Sequence, residues 1–178
     1  MSIRVVTPKF LTKEMAESAT NFVLDSIFQN LPANKGMLRE LLSPKRDQCH
    51  IVILVPGMQD DRRGYPHFPI EPVVLYEHSK QNGERFEHPF DLIARCKALQ
   101  LWDDRNDDRT DCQPHLLFQN DTPYWGGVKR RGIVVACSGV QPWIDKLVSG
   151  MIADLLVAMA HAAWVQSGDQ MSGVSFLT

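Results

Sequence analysis

Two short runs of consecutive apolar residues constrain the fold of this chain more than any other feature. One run is His50–Val55, which the turn-forming pair Pro56-Gly57 closes, and the other is Gly132–Cys137, which Ser138-Gly139 ends. Both runs are rich in β-branched residues and have the length of ordinary strands. A strand that lacks polar alternation is covered on both faces, so both runs predict central strands of a sheet that lies between helices.

Prolines and apolar residues at helical spacing predict three helices around these strands. Thr12 can cap a first helix that extends to about Leu31, where the following proline stops it. Pro89 opens a second helix, and Pro142 opens a third that extends to about Gln166. Proline suits the first turn of a helix because its missing N–H has no partner to lose there.

The remaining segments complete an α+β domain. We predict a helical turn at Met37–Leu42, further strands at Pro72–Tyr76 and His115–Phe118, and a long loop over residues 56–69. Since short connections favour antiparallel pairing, this order predicts an antiparallel sheet of about five strands covered by helices. Residues 1–178 are then expected to form a single domain, with a loosely ordered tail from about residue 168.

Charge and hydropathy favour a protein that binds neither nucleic acid nor membrane. The chain has 19 Lys and Arg against 21 Asp and Glu, whereas nucleic-acid-binding domains show a basic excess. The basic run Lys129–Arg131 lies among glycines and is expected to form the tip of a hairpin. The apolar stretch Met151–Trp164 is shorter than the roughly 20 residues that span a bilayer. Since no basic and apolar leader begins the chain, we expect a cytoplasmic protein.

The sequence signatures of metal and nucleotide sites do not occur in this chain. None of the four cysteines is spaced as Cys-x-x-Cys. The alternating polar residues from Asp104 match the first half of a calcium loop, but Arg109 replaces the required glycine and His115 the required glutamate. Neither a P-loop nor a dinucleotide-binding glycine pattern is present, so we predict neither a metal site nor a nucleotide cofactor.

The second half of the chain carries short motifs in a fixed order. Ala94-Arg95-Cys96-Lys97-Ala98 lies on the second helix, Gly126-Gly127 follows, Val134–Cys137 ends in Ser138-Gly139, and Asp145 begins the last helix. In this order the motifs resemble the GlcG/HbpS-like family of haem-degrading-like domains over about residues 90–160. The resemblance implies a profilin-like α/β/α sandwich, homo-oligomers and a haem or other small-molecule ligand. It also implies protein partners, as in a fungal branch of similar proteins. The chain departs from the family by lacking a proline soon after the glycine pair and by its long early loop.

Six residues form the candidate ligand site that these motifs define. They are Gly126, Gly127, Ser138, Gly139, Asp145 and His115. The glycine pair permits positive φ and close backbone approach, and the strand end leaves backbone N–H groups free for an anion or a water. His115 could serve as the axial ligand of a haem iron. On the alternative interpretation, the glycines and the serine only form tight turns.

Two functions stay open from the sequence. The first is a non-enzymatic binding or accessory protein that forms a homo-oligomer, because the apolar face of the last helix is too wide for one sheet contact. The second is an enzyme or carrier acting on haem or another small molecule, which requires His115 or Asp145 to converge with the glycines. A Cys137 or Ser138 nucleophile would need a base that the sequence cannot place. Asp154 and His161, which share one face of the last helix, predict either a pocket wall or subunit contact, or a face packed loosely on a loop.

Overall fold

Four helices and five strands form an α+β domain in the computed structural model, which describes residues 5–28, 37–59, 71–81, 85–106 and 113–169. The helices are α1 (Lys13–Phe28), α2 (Met37–Leu42), α3 (Phe90–Trp102) and α4 (Pro142–Ser167). The strands are β1 (Val5–Val6), β2 (Cys49–Gln59), β3 (Glu71–Lys80), β4 (Gly127–Arg130) and β5 (Ile133–Ser138). The α+β class predicted from the sequence is confirmed.

The strands form one open antiparallel sheet with β2 at its centre. β2 pairs with β3 along one edge and with β5 along the other, and β4 pairs with the outer edge of β5. The two residues of β1 pair with the end of β2. In the ladder between β2 and β5, His50 lies opposite Ser138, and Ile51 lies opposite Cys137. The two apolar runs are therefore central strands, as their composition predicts.

Side chains of β2 alternate between two core layers. Ile51 and Ile53 pack with the buried faces of α1 and α4, whereas Val52 and Leu54 pack with α3. Cys137 and Ala136 of β5 divide between the same two layers. Helices thus cover both faces of the central strands, and the domain is an α/β sandwich.

The predicted strand at His115–Phe118 is wrong. Pro114–Leu116 forms a single 3₁₀ turn, with the proline in its first turn and with His115 exposed. The fixed φ of Pro114 suits this turn, and the outer edge of β5 is already occupied by β4. The apolar triplet Leu116-Leu117-Phe118 therefore has no strand to pair with at that edge.

Other predicted boundaries change by a few residues. β2 continues through Pro56-Gly57, which pair with β3, to Met58 and Gln59, which pair with β1 beyond the end of β5. The rest of the predicted loop over 56–69 lies outside the described residues, as does most of the predicted tail after residue 168. α1 is described to Phe28, and the predicted turn at Met37–Leu42 is confirmed as α2. Arg131 and Gly132 both have positive φ, so the predicted hairpin tip joins β4 to β5.

α4 divides into a buried half and a half that the domain leaves partly uncovered. Ile144, Val148, Ile152 and Leu156 are fully buried against the sheet and α1, and no later residue of α4 is buried. By length and composition alone, α4 could cross a membrane, with 28% of its most apolar stretch buried in the fold. This result depends on the length of the whole helix, which the sequence predicts from Pro142 to about Gln166, whereas the expectation of no membrane span rests on the shorter apolar stretch Met151–Trp164 and stays a prediction. The core helix of a soluble protein has the same properties, and the fold is consistent with a soluble protein.

Candidate functional site

A cavity of about 470 Å³ lies where β5 ends and where α3 and α4 begin. The aromatic and aliphatic part of its lining includes Phe90, Ile93, Tyr124, Trp125 and Val140. Its polar lining includes Arg46, His88, Lys97, Ser138, Gln141 and Asp145. A mostly apolar concave site with a few convergent polar groups is the usual form of a small-molecule site.

The local sequence explains why a cavity forms at this place. Pro89 and Pro142 begin α3 and α4, so both helices start abruptly beside the end of β5. Between β5 and α4 the chain turns at Gly139, whose φ is 142°. A Cβ atom at this position would lie 2.4 Å from the backbone oxygen of Gln48, so only glycine fits. The turn keeps Ser138 and Val140 at the cavity wall.

A buried ion pair between Lys97 and Asp145 forms the floor of the cavity. The Lys97 side chain is 1% exposed. Its Nζ donates to the carbonyl oxygen of Cys137 at 2.8 Å and to Oδ2 of Asp145 at 3.3 Å. Oδ1 of Asp145 accepts the backbone N–H of Val140 at 3.1 Å. Each charge therefore has a partner, which a buried ion pair requires.

Burial governs the ionisation of the groups beside this pair. Burial raises the pKa of Asp145, whereas the Lys97 ammonium and the Val140 N–H act to lower that pKa. Burial also raises the pKa of the Cys137 thiol well above its ordinary value. Since the thiolate is the reactive form, Cys137 is a packed thiol at neutral pH and is not a nucleophile.

The glycine pair packs behind the ion pair, outside the cavity lining. A Cβ atom on Gly126, whose φ is 124°, would lie 2.7 Å from Cβ of Asp145 and 3.3 Å from Nζ of Lys97. A Cβ atom on Gly127 would lie 2.5 Å from Leu101. The Ser149 hydroxyl donates to the Gly126 carbonyl at 3.1 Å, which joins this turn to α4. The glycines therefore allow β4 to approach α3 and α4 closely.

His50 lies beside the cavity through its position opposite Ser138. The ring is 4% exposed and its Nδ1 is 2.8 Å from the Ser79 hydroxyl, whereas its Nε2 is buried and has no hydrogen-bond partner among the described residues. Burial lowers the pKa of His50, against a smaller opposite effect of Glu77. The ring also contacts Phe86 edge-on at 6.3 Å. No hydrogen bond joins His50 to Ser138 in the described structure, so the two do not form an assembled base and nucleophile.

The structure brings together some of the six residues named from the sequence and leaves one apart. Ser138, Gly139 and Asp145 line the cavity, and Gly126 lies against Asp145. Gly127 packs on Leu101 one layer away from the cavity. His115 is exposed on its 3₁₀ turn and does not line the cavity.

The position of His115 bears directly on haem. An iron in the cavity would have no axial ligand from His115, so the residues present do not fit a haem held in the expected way. His88 is the histidine that lines the cavity. Among the described residues, no three His, Cys, Asp or Glu side chains form a group that could hold a metal ion.

Sequence reasoning did not select Lys97 or His50 as site residues. Lys97 belongs to the helix motif of the family resemblance, but at its helical spacing it shares a stripe with Phe90, Ala94 and Leu101 and so resembles a core-facing position. The usable signal was a lysine on the apolar face of a helix, since a buried ammonium needs a partner of opposite charge. His50 gave no such signal, because its neighbour Ser138 is set by the strand register alone.

A second, more open depression lies along the last turns of α4. Its lining includes Phe10, Arg130, Asp154, His161 and Trp164. Arg130 and Asp154 approach within 3.9 Å, between groups that are both partly exposed. Asp154 and His161, which share one helix face, therefore border one concave surface, as the first of their two sequence interpretations predicts.

Comparison with known proteins adds no assignment: no family model, no curated protein and no solved structure matches the chain.

Proposed function

We propose that this chain is a non-enzymatic, GlcG/HbpS-like binding protein that holds a flat, largely apolar organic molecule in the cavity between α3 and α4. The observation that carries the proposal is the cavity itself, which combines aromatic walls with a buried ion pair at its floor. Three of the six residues chosen from the sequence motifs line it, and a fourth packs directly behind it. Ser138, Gly139 and Asp145 follow one another along the chain, whereas Gly126 comes from a separate motif and packs against Asp145.

A binding role is favoured over catalysis by the state of the nucleophiles. The Cys137 thiol is buried with a raised pKa, and Ser138 has no hydrogen-bonded base in the described structure. Lys97 is held between a carboxylate and a carbonyl oxygen. These contacts position a binding surface and leave no activated group for group transfer. Haem is not part of the proposal, because His115 lies outside the cavity.

Calorimetric titration with two naphthalene probes tests the binding role. We would titrate 2-naphthoate and 2-naphthamide into the protein and into the variants Ile93→Trp and Leu92→Trp. Ile93 lines the cavity, whereas its neighbour Leu92 is 57% exposed on the other side of α3. We expect at least one probe to bind with a Kd on the order of 0.1–1 mM, as fragments of this size do.

The two variants locate the binding. Ile93→Trp should abolish it by filling the cavity, and Leu92→Trp, with the same added ring, should retain it. Binding of neither probe, or equal binding by both variants, would refute the cavity as the ligand site.

We also propose that the protein acts in the cytoplasm as a homo-oligomer that assembles through the C-terminal half of α4. After Leu156 this half contains Val157, Trp164 and Val165, none of which the domain buries. Arg130 and Asp154 place charges of both signs beside these apolar side chains. A surface with both charges and an apolar strip suits contact with a second copy of itself.

A further inference from the structure

The floor of the cavity has hydrogen-bond donors that the protein does not use. An ammonium group has three N–H donors, and two of those on Lys97 are directed to Cys137 and Asp145. Lys97 lines the cavity, and neither of these two hydrogen bonds uses its third donor. A cationic donor of this kind, buried to 1% exposure, forms stronger hydrogen bonds than a neutral one in water.

The Ser138 hydroxyl belongs to the same cavity lining as this ammonium. Lys97 holds the carbonyl oxygen of Cys137, which is the residue before Ser138 in β5. Ser138 is 4% exposed, lines the cavity, and makes no side-chain hydrogen bond with any described residue. Directly across the ladder is His50, whose buried Nε2 also has no partner. Lys97 and Ser138 therefore line the cavity with unused hydrogen-bonding capacity, and the unpartnered Nε2 of His50 lies one strand further along the sheet.

The acceptors at the same point are already occupied. Oδ1 of Asp145 takes the N–H of Val140, and Oδ2 takes the Lys97 ammonium. The Gln141 side-chain oxygen accepts the backbone N–H of Lys45 at 2.9 Å. The N-terminus of α4, which borders the cavity, adds the positive end of a helix dipole. The Lys97 ammonium can only donate, and the Ser138 hydroxyl can donate, so both suit a ligand that brings acceptors and negative charge.

We propose that the ligand is an aromatic carboxylate, whose carboxylate group accepts from Lys97 and Ser138 while its ring lies between Phe90 and Trp125. This inference rests on the proposed binding function and names its ligand class. The Lys97 ammonium offsets the negative charge of Asp145, and the Asp145 carboxylate in turn holds the ammonium in place. Two oxygens of one carboxylate match two donors, the Lys97 ammonium and the Ser138 hydroxyl, that line the same cavity.

The test compares an acid with its amide, and the serine with alanine. Calorimetry would measure 2-naphthoate and 2-naphthamide, which share a ring and differ in charge, against the wild type and Ser138→Ala. We expect the acid to bind the wild type about tenfold more tightly than the amide, since hydrogen bonds to a charged group exceed neutral ones. Ser138→Ala should lower the affinity for the acid by about tenfold and the affinity for the amide by less than about threefold. Circular dichroism would verify that the variant is folded.

The outcomes separate this inference from the function on which it rests. Equal affinities for acid and amide in the wild type, with binding blocked by Ile93→Trp, would overturn the carboxylate and leave the cavity as a binding site. If 2-naphthoate binds wild type and Ser138→Ala with the same affinity, the proposed contact between the carboxylate and Ser138 is wrong. Absence of binding by both probes would overturn both proposals. The wild-type comparison does not depend on the stability of any variant.

Discussion

At the scale of single residues, the Lys97–Asp145 pair is the most consequential contact of the domain. Both side chains are almost completely withdrawn from water, at a distance of 3.3 Å between Nζ and Oδ2. Desolvation of two charges costs free energy that their attraction only partly offsets. The pair is therefore better explained by what it positions, which is an ammonium at the floor of a cavity, than by the stability it adds.

This explanation predicts an asymmetry between single and double substitutions. Lys97→Met should lower the free energy of unfolding by about 3–5 kcal/mol, because it leaves a buried carboxylate without its counter-charge. The double variant Lys97→Met with Asp145→Asn should recover more than half of that loss, since no charge is then buried. Urea unfolding of the variants measures both quantities. A double variant as unstable as the single one would show that the pair is not electrostatically coupled.

Gly126 and Gly132 form a matched pair for a second prediction. Both have positive φ, but a Cβ atom would lie 2.7 Å from Asp145 at Gly126 and would meet nothing within 4 Å at Gly132. Gly132→Ala should cost about 1 kcal/mol, for the backbone conformation alone. Gly126→Ala should cost about 3 kcal/mol or more, because it adds overpacking to the same strain. If urea unfolding shows equal losses of stability for the two variants, Gly126 is required only for the positive φ of its turn and not for close packing.

The pH dependence of stability gives a third prediction, on His50. Because burial lowers the pKa of His50 below its ordinary 6.5, the unfolded chain takes up a proton at a higher pH than the folded one. The folded state is therefore favoured above this range, and stability falls as the pH drops through 6.5 and below. Lowering the pH from 8 to 5 should therefore reduce the free energy of unfolding of the wild type more than that of His50→Gln. Denaturant unfolding at several pH values measures it, and a difference that is constant with pH would contradict the buried neutral ring.

At the scale of elements, the sequence predicts those helices and strands that a local sequence pattern is enough to define. The apolar runs give β2 and β5, and Pro89 and Pro142 mark where α3 and α4 begin. The strand expected at His115–Phe118 fails because an apolar triplet does not reveal whether a partner strand is available. β4 contains Val128 between polar residues, and its assignment depends on pairing with β5.

The site is predictable to a similar degree. Ser138, Gly139 and Asp145 follow a strand end and open a helix, so a local pattern is enough to bring them to one place. Lys97 and His50 could not be assigned in this way. The ion pair of Lys97 joins α3 and α4, which cover opposite faces of the sheet, across the end of β5. The position of His50 depends on the register between β2 and β5.

The uncovered half of α4 carries the prediction on assembly. Val165 on α4 and Leu99 on α3 are both 50% exposed. Leu99 is therefore a matched control that differs from Val165 in its position and not in its exposure. We expect light scattering to show an oligomer for the wild type and for Leu99→Glu, and a smaller species for Val165→Glu, because a buried charge would disrupt an apolar interface. A wild type that stays monomeric at high concentration would refute the assembly.

At the scale of the whole molecule, the two proposed surfaces lie at opposite ends of one helix. The cavity borders the first turn of α4, and the open depression with Arg130 and Trp164 borders its last turns. With about 1.5 Å of rise per residue, the nine residues from Asp145 to Asp154 separate the two linings by about 14 Å along α4. Ligand binding and assembly can therefore be altered separately, since no described residue lines both.

The most direct test of the central claim is a chemical-shift map of the protein with 2-naphthoate. In a ¹H–¹⁵N spectrum recorded during the titration, we expect saturable shifts at the amides of Lys97, Ser138, Gly139 and Val140, which surround the floor of the cavity. The amides near His161 and Trp164 should stay unchanged. Shifts that cluster at the last turns of α4 instead, or a spectrum without saturable change, would contradict the assignment of the cavity as the ligand site.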